Sequence, residues 1–152
     1  MAEQSAGHGV ILLIEDNEAH AELITRCFRD QQLAKEIFHV IDGQQALDFL
    51  FRRGDFQDPE KSPRPDLILL DLRLPRVDGL DVLKAVKQAS FLQRIPVVIL
   101  TSSDAENDIA RSYDCHANSY VVKPMEFRKF KKLMEDLGSY WLGWNAPSRN
   151  GD

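Results

Sequence analysis

The sequence predicts an α/β fold, with one parallel sheet of five strands and helices on both of its faces. Short runs rich in leucine and β-branched residues alternate with longer segments of helical periodicity, which is typical of stacked strand–helix units. Several of the short runs are almost wholly apolar, as strands buried on both faces are. The 152 residues suit a single domain, since a chain of this size buries about 68–70% of its unfolded surface.

The five predicted strands are apolar runs bounded by polar or turn-forming residues. In chain order they are Val10–Ile14, Ile37–Ile41, Asp66–Leu70, Pro96–Leu100 and Ser119–Val122. The first, third and fourth are nearly continuous apolar runs and are expected at the centre of the sheet.

Five segments between and after these strands repeat apolar residues at helical spacing. They are Asn17–Gln32, Gly43–Arg53, Gly79–Lys87, Asp104–Cys115 and Met125–Leu137. Asn17 and Asp104 are predicted N-caps, because a short side-chain oxygen there accepts a free backbone N–H of the first turn. The segment from Gly54 to Pro65 carries three prolines and is predicted to be a surface loop.

Composition excludes several classes of protein. A net charge of −5 argues against nucleic-acid binding, and the basic cluster near Lys131 alternates with apolar residues as a solvated helix face does. The chain contains no apolar run of membrane-spanning length, and the first nine residues do not resemble a signal peptide. Cys27 and Cys115 fall in separate predicted helices and are expected to be free thiols in a reducing cytoplasm.

Acidic residues follow two of the predicted central strands. Glu15 and Asp16 come directly after the first strand, and Asp71 comes directly after the third. Because the carboxyl ends of parallel strands share one edge of a sheet, these carboxylates are expected to converge. Crowded carboxylates stay ionised only beside a cation, and an oxygen-binding ion such as Mg²⁺ suits this set.

The remaining strand ends add a hydroxyl and an ammonium. Thr101 follows the fourth strand and Lys123 the fifth. A nucleophilic acid, a divalent metal, a hydroxyl and a lysine are what a site needs to receive a phosphoryl group and hold its oxygens.

These motifs, in this order, resemble the receiver domain of two-component response regulators over about Val10 to Leu137. The resemblance rests on Ile14-Glu15-Asp16-Asn17, Asp66-Leu67-Ile68-Leu69-Leu70-Asp71, Leu74-Pro75, Asp78-Gly79, Pro96-Val97-Val98-Ile99-Leu100-Thr101 and Lys123-Pro124. It implies the doubly wound, flavodoxin-like strand order 2-1-3-4-5. It divides the chain into an N-terminal tail (1–9), a receiver domain (10–137) and an aromatic C-terminal extension (138–152).

The resemblance also assigns roles. Asp71 resembles the phosphoacceptor, which takes a phosphoryl group from a sensor histidine kinase. Glu15, Asp16, Asp71 and the backbone carbonyl of Arg73 resemble the Mg²⁺ ligands. Thr101 resembles the hydroxyl that moves to the phosphoryl group, and Lys123 the cation that pairs with Asp71.

Three further expectations come from the same source. Tyr120 matches the aromatic switch residue that turns inward when Thr101 shifts, and the Lys123–Pro124 bond is expected to be cis. Arg73 lies two residues after the phosphoacceptor, at a place where the family varies and tunes the lifetime of the acyl phosphate. Its long cationic side chain either shields the phosphoryl group or reaches solvent, and the sequence does not decide between these.

Alternative functions are less well matched. Phosphatases of the haloacid dehalogenase type also use a nucleophilic Asp at a strand end, but they place a second Asp where this chain has Arg73. A dinucleotide-binding fold would need Gly-x-Gly-x-x-Gly after the first strand. An inert receiver would not retain the complete acceptor set. The four histidines are expected to be packed or solvated, and none is assigned to phosphohistidine chemistry.

The expected protein is therefore a stand-alone cytoplasmic signalling protein, not an enzyme. About fifteen residues follow the fifth helix, too few for a DNA-binding module. The proline-rich insertion and aromatic tail are similar to those of the small response regulators of bacterial phytochromes. Leu137, Tyr140, Trp141 and Trp144 fall near helical spacing and predict a homodimer, with folding of the tail onto its own domain as the alternative.

Overall fold

The computed structural model describes residues 9–32 and 34–146. Five parallel strands form one sheet in the order 2-1-3-4-5, which confirms the predicted fold class. The strands are β1 (Val10–Ile14), β2 (Glu36–Val40), β3 (Leu67–Leu70), β4 (Val97–Thr101) and β5 (Ser119–Val122). As predicted, β1, β3 and β4 occupy the centre, and β2 and β5 form the half-exposed edges.

Five α-helices connect or follow these strands. They are α1 (Glu18–Asp30), α2 (Gly43–Phe51), α3 (Gly79–Gln88), α4 (Glu106–Asp114) and α5 (Phe127–Gly138). A π-helical turn, Ser139–Trp144, continues directly from α5. The described residues include no helix with the length and apolar character that crossing a bilayer requires.

The side chains of the central strands alternate between two apolar layers, one on each face of the sheet. In β1, Leu12 and Ile14 pack with α2 and α3, whereas Ile11 and Leu13 pack with α1 and α5. Phe49 is fully buried in the first layer and Phe28 in the second. Burying one such side chain stabilises the fold by about 1.5–3 kcal/mol. The two apolar layers together therefore fix the positions of the strand ends.

Of the two predicted N-caps, one is confirmed and one is wrong. Asn17 caps α1, because its side chain accepts the backbone N–H of His20 at 3.0 Å. The prediction that Asp104 caps α4 is wrong: the N-cap is Ala105, which has no side-chain acceptor. Asp108 makes side-chain contacts in the first turn of that helix instead, as described below.

The predicted loop at 54–65 contains one short 3-10 turn, Gly54–Phe56. Phe56 lies edge-on to Phe49 with ring centroids 5.3 Å apart, so the loop is tied to the core. Gly138 does not interrupt α5. A Cβ there would lie 2.7 Å from Gln31 Oε1, the end of a flexible side chain that can move, and 3.0 Å from Phe28 Cε1.

Candidate functional site

The strand ends bring the predicted site residues together at one edge of the sheet. Carboxylate oxygens of Glu15, Asp16 and Asp71 all lie within 4.8 Å of one another. Glu15 and Asp71 are buried, whereas Asp16 is exposed. The acidic group is therefore open to solvent on the Asp16 side and enclosed on the others.

Lys123 supplies the positive charge inside this group. Its ammonium nitrogen lies 2.5 Å from Glu15 Oε1 and 3.0 Å from Asp71 Oδ2, and its side chain is 3% exposed. At so low an exposure the ion pairs are poorly screened, so their geometry determines the charge state of the site.

The Asp71 carboxylate is held by three donors. Thr101 Oγ1 donates to Asp71 Oδ1 at 2.8 Å, and the backbone N–H of Arg73 donates to the same oxygen at 3.1 Å. Lys123 donates to the other oxygen. The carboxylate is thus fixed in orientation, as a positioned nucleophile requires.

Burial raises the pKa of Glu15 from its usual 4.5 to about 7, although the hydrogen bond and charge of Lys123 act in the opposite direction. Glu15 Oε2 also accepts the backbone N–H of Asn17 at 3.1 Å. A carboxylate in this position is costly to ionise without more positive charge.

His20 lies beside the same ammonium, with Nδ1 3.1 Å from Lys123 Nζ. Burial lowers its pKa, and the charge of Lys123 lowers it further. Because an ammonium only donates, Nδ1 accepts and the ring proton lies on Nε2. The sequence predicted merely a packed or solvated imidazole; the signal that was missed is its place in the first turn after the Asn17 cap.

The residues present fit a divalent cation. Three carboxylates face one ammonium, which leaves an excess of negative charge, and the exposed Asp16 offers a way in for the ion. Oxygen-only donors favour hard cations. The role of the Arg73 carbonyl as a further ligand stays a prediction.

The predicted cis bond between Lys123 and Pro124 is wrong: none of the described peptide bonds is cis. A trans X–Pro bond is favoured by about 0.5–1 kcal/mol unless its surroundings demand otherwise. Lys123 Nζ reaches both carboxylates with the trans bond, so the contacts of the ammonium do not require the cis form.

Two side chains next to the acidic group point to neighbouring elements. The Arg73 guanidinium pairs with the carboxylate of Asp108 on α4, and its side chain is 66% exposed. The Tyr120 hydroxyl donates to the backbone carbonyl of Ser103 at 2.8 Å. Neither Ser103 nor Asp108 belongs to a recognisable sequence motif, so neither contact is predictable from the sequence.

The predicted dimer residues divide between core and surface. Leu137 is buried, and Trp141 packs partly against the layer formed by α1 and α5, with Tyr140 edge-on at 5.1 Å. Tyr140 is 51% exposed and Trp144 is 83% exposed. The described part of the tail, 138–146, therefore folds back onto its own domain through Trp141 and leaves Tyr140 and Trp144 at the surface.

Comparison with known proteins gives a match to the family model described as the response regulator receiver domain, over residues 11–135. The probable methanogenesis regulatory protein FilR2 of Methanothrix harundinacea is 44% identical over 136 residues, covering 90% of this chain and 85% of that protein. Response regulator Rcp1 of Synechocystis is 40% identical over 142 residues, covering 93% and 95%.

Solved structures agree with these sequence matches. The crystal structure of the Mn²⁺-bound form of Rcp1 superposes with a TM-score of 0.87 at 39% identity, covering 93% of this chain and 99% of that one. The phosphorylated cyanobacterial phytochrome response regulator RcpA gives a TM-score of 0.88 at 37% identity, with the same coverage.

Proposed function

Since the chain belongs to the response regulator receiver domain family, we propose that it accepts a phosphoryl group on Asp71 from a sensor histidine kinase. The observation that carries this proposal is the Asp71 carboxylate itself. It is buried, oriented by Thr101 and Lys123, and adjacent to two further carboxylates. That arrangement suits a nucleophile that must meet a highly charged donor.

In the proposed transfer, an Asp71 oxygen forms a bond to phosphorus while the bond from phosphorus to the kinase histidine breaks. Lys123 is already within hydrogen-bond distance of Asp71 and pairs with the incoming phosphoryl oxygens. Thr101 exchanges its bond to Asp71 for one to the phosphoryl group. Self-catalysed transfer and hydrolysis of its own acyl phosphate are the only chemistry proposed for this chain.

We infer that the physiological cation is Mg²⁺, held by Glu15, Asp16 and Asp71 with the Arg73 carbonyl. When bound, the cation neutralises developing charge on the phosphoryl oxygens. The related Rcp1 binds Mn²⁺ in its crystal structure, which supports a divalent site of this kind.

Tyr120 is the proposed switch partner of Thr101. Thr101 ends β4, and the Tyr120 hydroxyl reaches from β5 to the loop after β4, so a shift of Thr101 towards the phosphoryl group changes the space beside Tyr120. The output is a population shift of the α4, β5 and α5 face that a partner protein recognises. We assign a protein target in the cytoplasm, consistent with two free thiols and net negative charge.

The source of the phosphoryl group is proposed to be a phytochrome-type kinase, because RcpA is a phytochrome response regulator. Phosphotransfer from the histidine kinases of the same genome, measured side by side, tests this. Rapid transfer from a phytochrome kinase is expected, and exclusive transfer from an unrelated kinase would refute the assignment.

A separate assay of phosphate release distinguishes signalling from phosphatase chemistry. A receiver hydrolyses only its own acyl phosphate, so incubation with phosphomonoesters should release no phosphate beyond one turnover. Steady turnover of a sugar phosphate, lost in Asp71→Asn, would favour the phosphatase alternative.

We also propose a homodimer in which the surface around Tyr140 and Trp144 packs against its two-fold mate. Two exposed aromatics next to α5 are the support for it. Trp144→Ser removes the most exposed tail ring without disturbing Trp141, and Met125→Ser removes a fully exposed apolar side chain elsewhere. Light scattering should show a dimer for the parent and Met125→Ser, and a monomer for Trp144→Ser; a monomeric parent, phosphorylated or not, would refute the dimer.

A further inference from the structure

A chain of polar contacts links four elements on one side of the acceptor carboxylate: the loop after β3, α4, the loop after β4, and β5. Arg73, in the loop after β3, pairs with Asp108 on α4. Ser103, in the loop after β4, donates its hydroxyl to Asp108 Oδ2 at 2.6 Å. The Ser103 carbonyl accepts the Tyr120 hydroxyl at 2.8 Å, which connects the network to β5.

Asp108 is the enclosed member of this network. Its side chain is 10% exposed, whereas that of Arg73 is 66% exposed. A carboxylate at that depth has few water partners, and the guanidinium is the only full positive charge within salt-bridge distance of it among the described residues. Loss of Arg73 therefore leaves Asp108 with a hydroxyl contact alone.

Arg73 is also tied to the reaction site. Its backbone N–H donates to Asp71 Oδ1, so the Arg73 side chain begins next to the carboxylate that receives the phosphoryl group. A phosphoryl group carries about 1.5–2 negative charges, against one on a carboxylate, and guanidinium binds its oxygens in bidentate fashion. Once Asp71 is phosphorylated, the guanidinium has a second and more highly charged partner within reach of the same backbone position.

We propose that Asp108 is a positioning residue that holds Arg73 away from Asp71 before phosphorylation and competes with the phosphoryl group for it afterwards. This inference rests on the proposed function. Hydrolysis of the acyl phosphate forms a bond from water oxygen to phosphorus and breaks the bond to Asp71, which returns as a carboxylate with inorganic phosphate released. A guanidinium on the phosphoryl oxygens covers one approach of that water, so Asp108 shortens the lifetime by withdrawing Arg73.

Competition also couples the lifetime to the switch face. Whatever takes Arg73 from Asp108 leaves the Ser103 hydroxyl as the remaining described donor to that carboxylate, so it changes the balance of contacts at Ser103, whose carbonyl accepts the Tyr120 hydroxyl. By reciprocity, a partner that binds α4 and disturbs Asp108 releases Arg73 to the phosphoryl group and prolongs the signal.

The test uses full-length protein, phosphorylated with acetyl phosphate and Mg²⁺ and then freed of donor, with acyl phosphate followed by intact mass. Asp108→Asn keeps the shape and the Ser103 contact but weakens the hold on Arg73, so it should slow hydrolysis by about two- to five-fold, the range of a partly exposed pair. Arg73→Ala should speed hydrolysis. When Asp108→Asn is added to Arg73→Ala, the rate of hydrolysis should not change further.

Asp114→Asn, an exposed acid at the end of the same helix, is the matched control and should leave the lifetime unchanged. Asp108→Glu should restore the parental lifetime. An effect of Asp108→Asn that persists without Arg73, or no effect at all, would overturn the inference. Failure of the parent to become phosphorylated on Asp71 would instead refute the proposed function, so the two failures are distinguishable.

Discussion

Replacing Lys123 with methionine isolates the electrostatic cost of the acidic group. The ammonium is 3% exposed and lies between Glu15 and Asp71, whose side chains are 2% and 9% exposed. Removing one member of a buried ion pair costs about 3–5 kcal/mol, because the remaining charge is stranded. Here Glu15 readily takes up a proton at neutral pH, since its pKa is already about 7. We therefore expect Lys123→Met to lower the free energy of unfolding by about 3 kcal/mol, the lower limit of that range.

The matched control is Lys132→Met. Lys132 also contacts a carboxylate, Asp136 at 3.2 Å, but the two side chains are 73% and 63% exposed. An exposed pair of this spacing is worth about 0.3–0.5 kcal/mol. The two substitutions thus remove the same functional group from a buried and from an exposed ion pair.

Urea unfolding in a chelating buffer, with and without added Mg²⁺, measures both effects. Without metal, Lys123→Met should be far less stable than Lys132→Met. Added Mg²⁺ should stabilise Lys123→Met more than the parent, because the cation then compensates carboxylates that have lost their ammonium. A metal-free Lys123→Met protein within about 1 kcal/mol of the control would refute the reasoning.

Two further predictions concern the same edge of the sheet. Because burial raises the pKa of Glu15 from 4.5 to about 7, the folded protein binds a proton more tightly than the unfolded chain between these values. The metal-free protein should therefore lose up to about 3 kcal/mol of stability as pH rises through that window. In urea unfolding measured across this pH range, Glu15→Gln should flatten the dependence of stability on pH, whereas exposed Glu22→Gln should not. Equal pH dependence in the two variants would contradict the assignment of this effect to Glu15. Gly79→Ala should destabilise by about 1–3 kcal/mol in thermal unfolding, because a Cβ there would lie 2.5 Å from the Asp71 carbonyl oxygen. Gly143→Ala meets nothing within 4 Å and should be nearly neutral, so equal effects of the two would show that the Gly79 contact relaxes freely.

The sequence contained most of what positions the site because strand ends are encoded locally. An apolar run that stops at a charged or hydroxyl-bearing residue predicts both a buried strand and the chemistry at its carboxyl end, and this applies to β1, β3 and β4. Residues such as Glu15, Asp71 and Lys123 therefore converge as expected once the strand order is known.

Contacts that depend on side-chain reach or on small energy differences were not predictable in this way. The Lys123–Pro124 bond was assigned cis from family resemblance, although the two isomers differ little in energy and the lysine reaches its partners in trans. Asp108 lies on a helix with no motif of its own, and only the tertiary arrangement brings it to Arg73. The contact between His20 and Lys123 depends on how close the first turn of α1 lies to the edge of the sheet. Helical periodicity in the sequence does not give that distance.

The most direct test of the central claim is the mass of the intact protein after incubation with acetyl phosphate and Mg²⁺. The parent and Asp104→Asn, an exposed acid in the loop after β4, should each gain one phosphoryl group, whereas Asp71→Asn should gain none. Chelating the metal should abolish the gain in the parent and in Asp104→Asn, because the donor oxygens then meet the carboxylates with less compensating charge. Phosphorylation retained in Asp71→Asn would contradict the account.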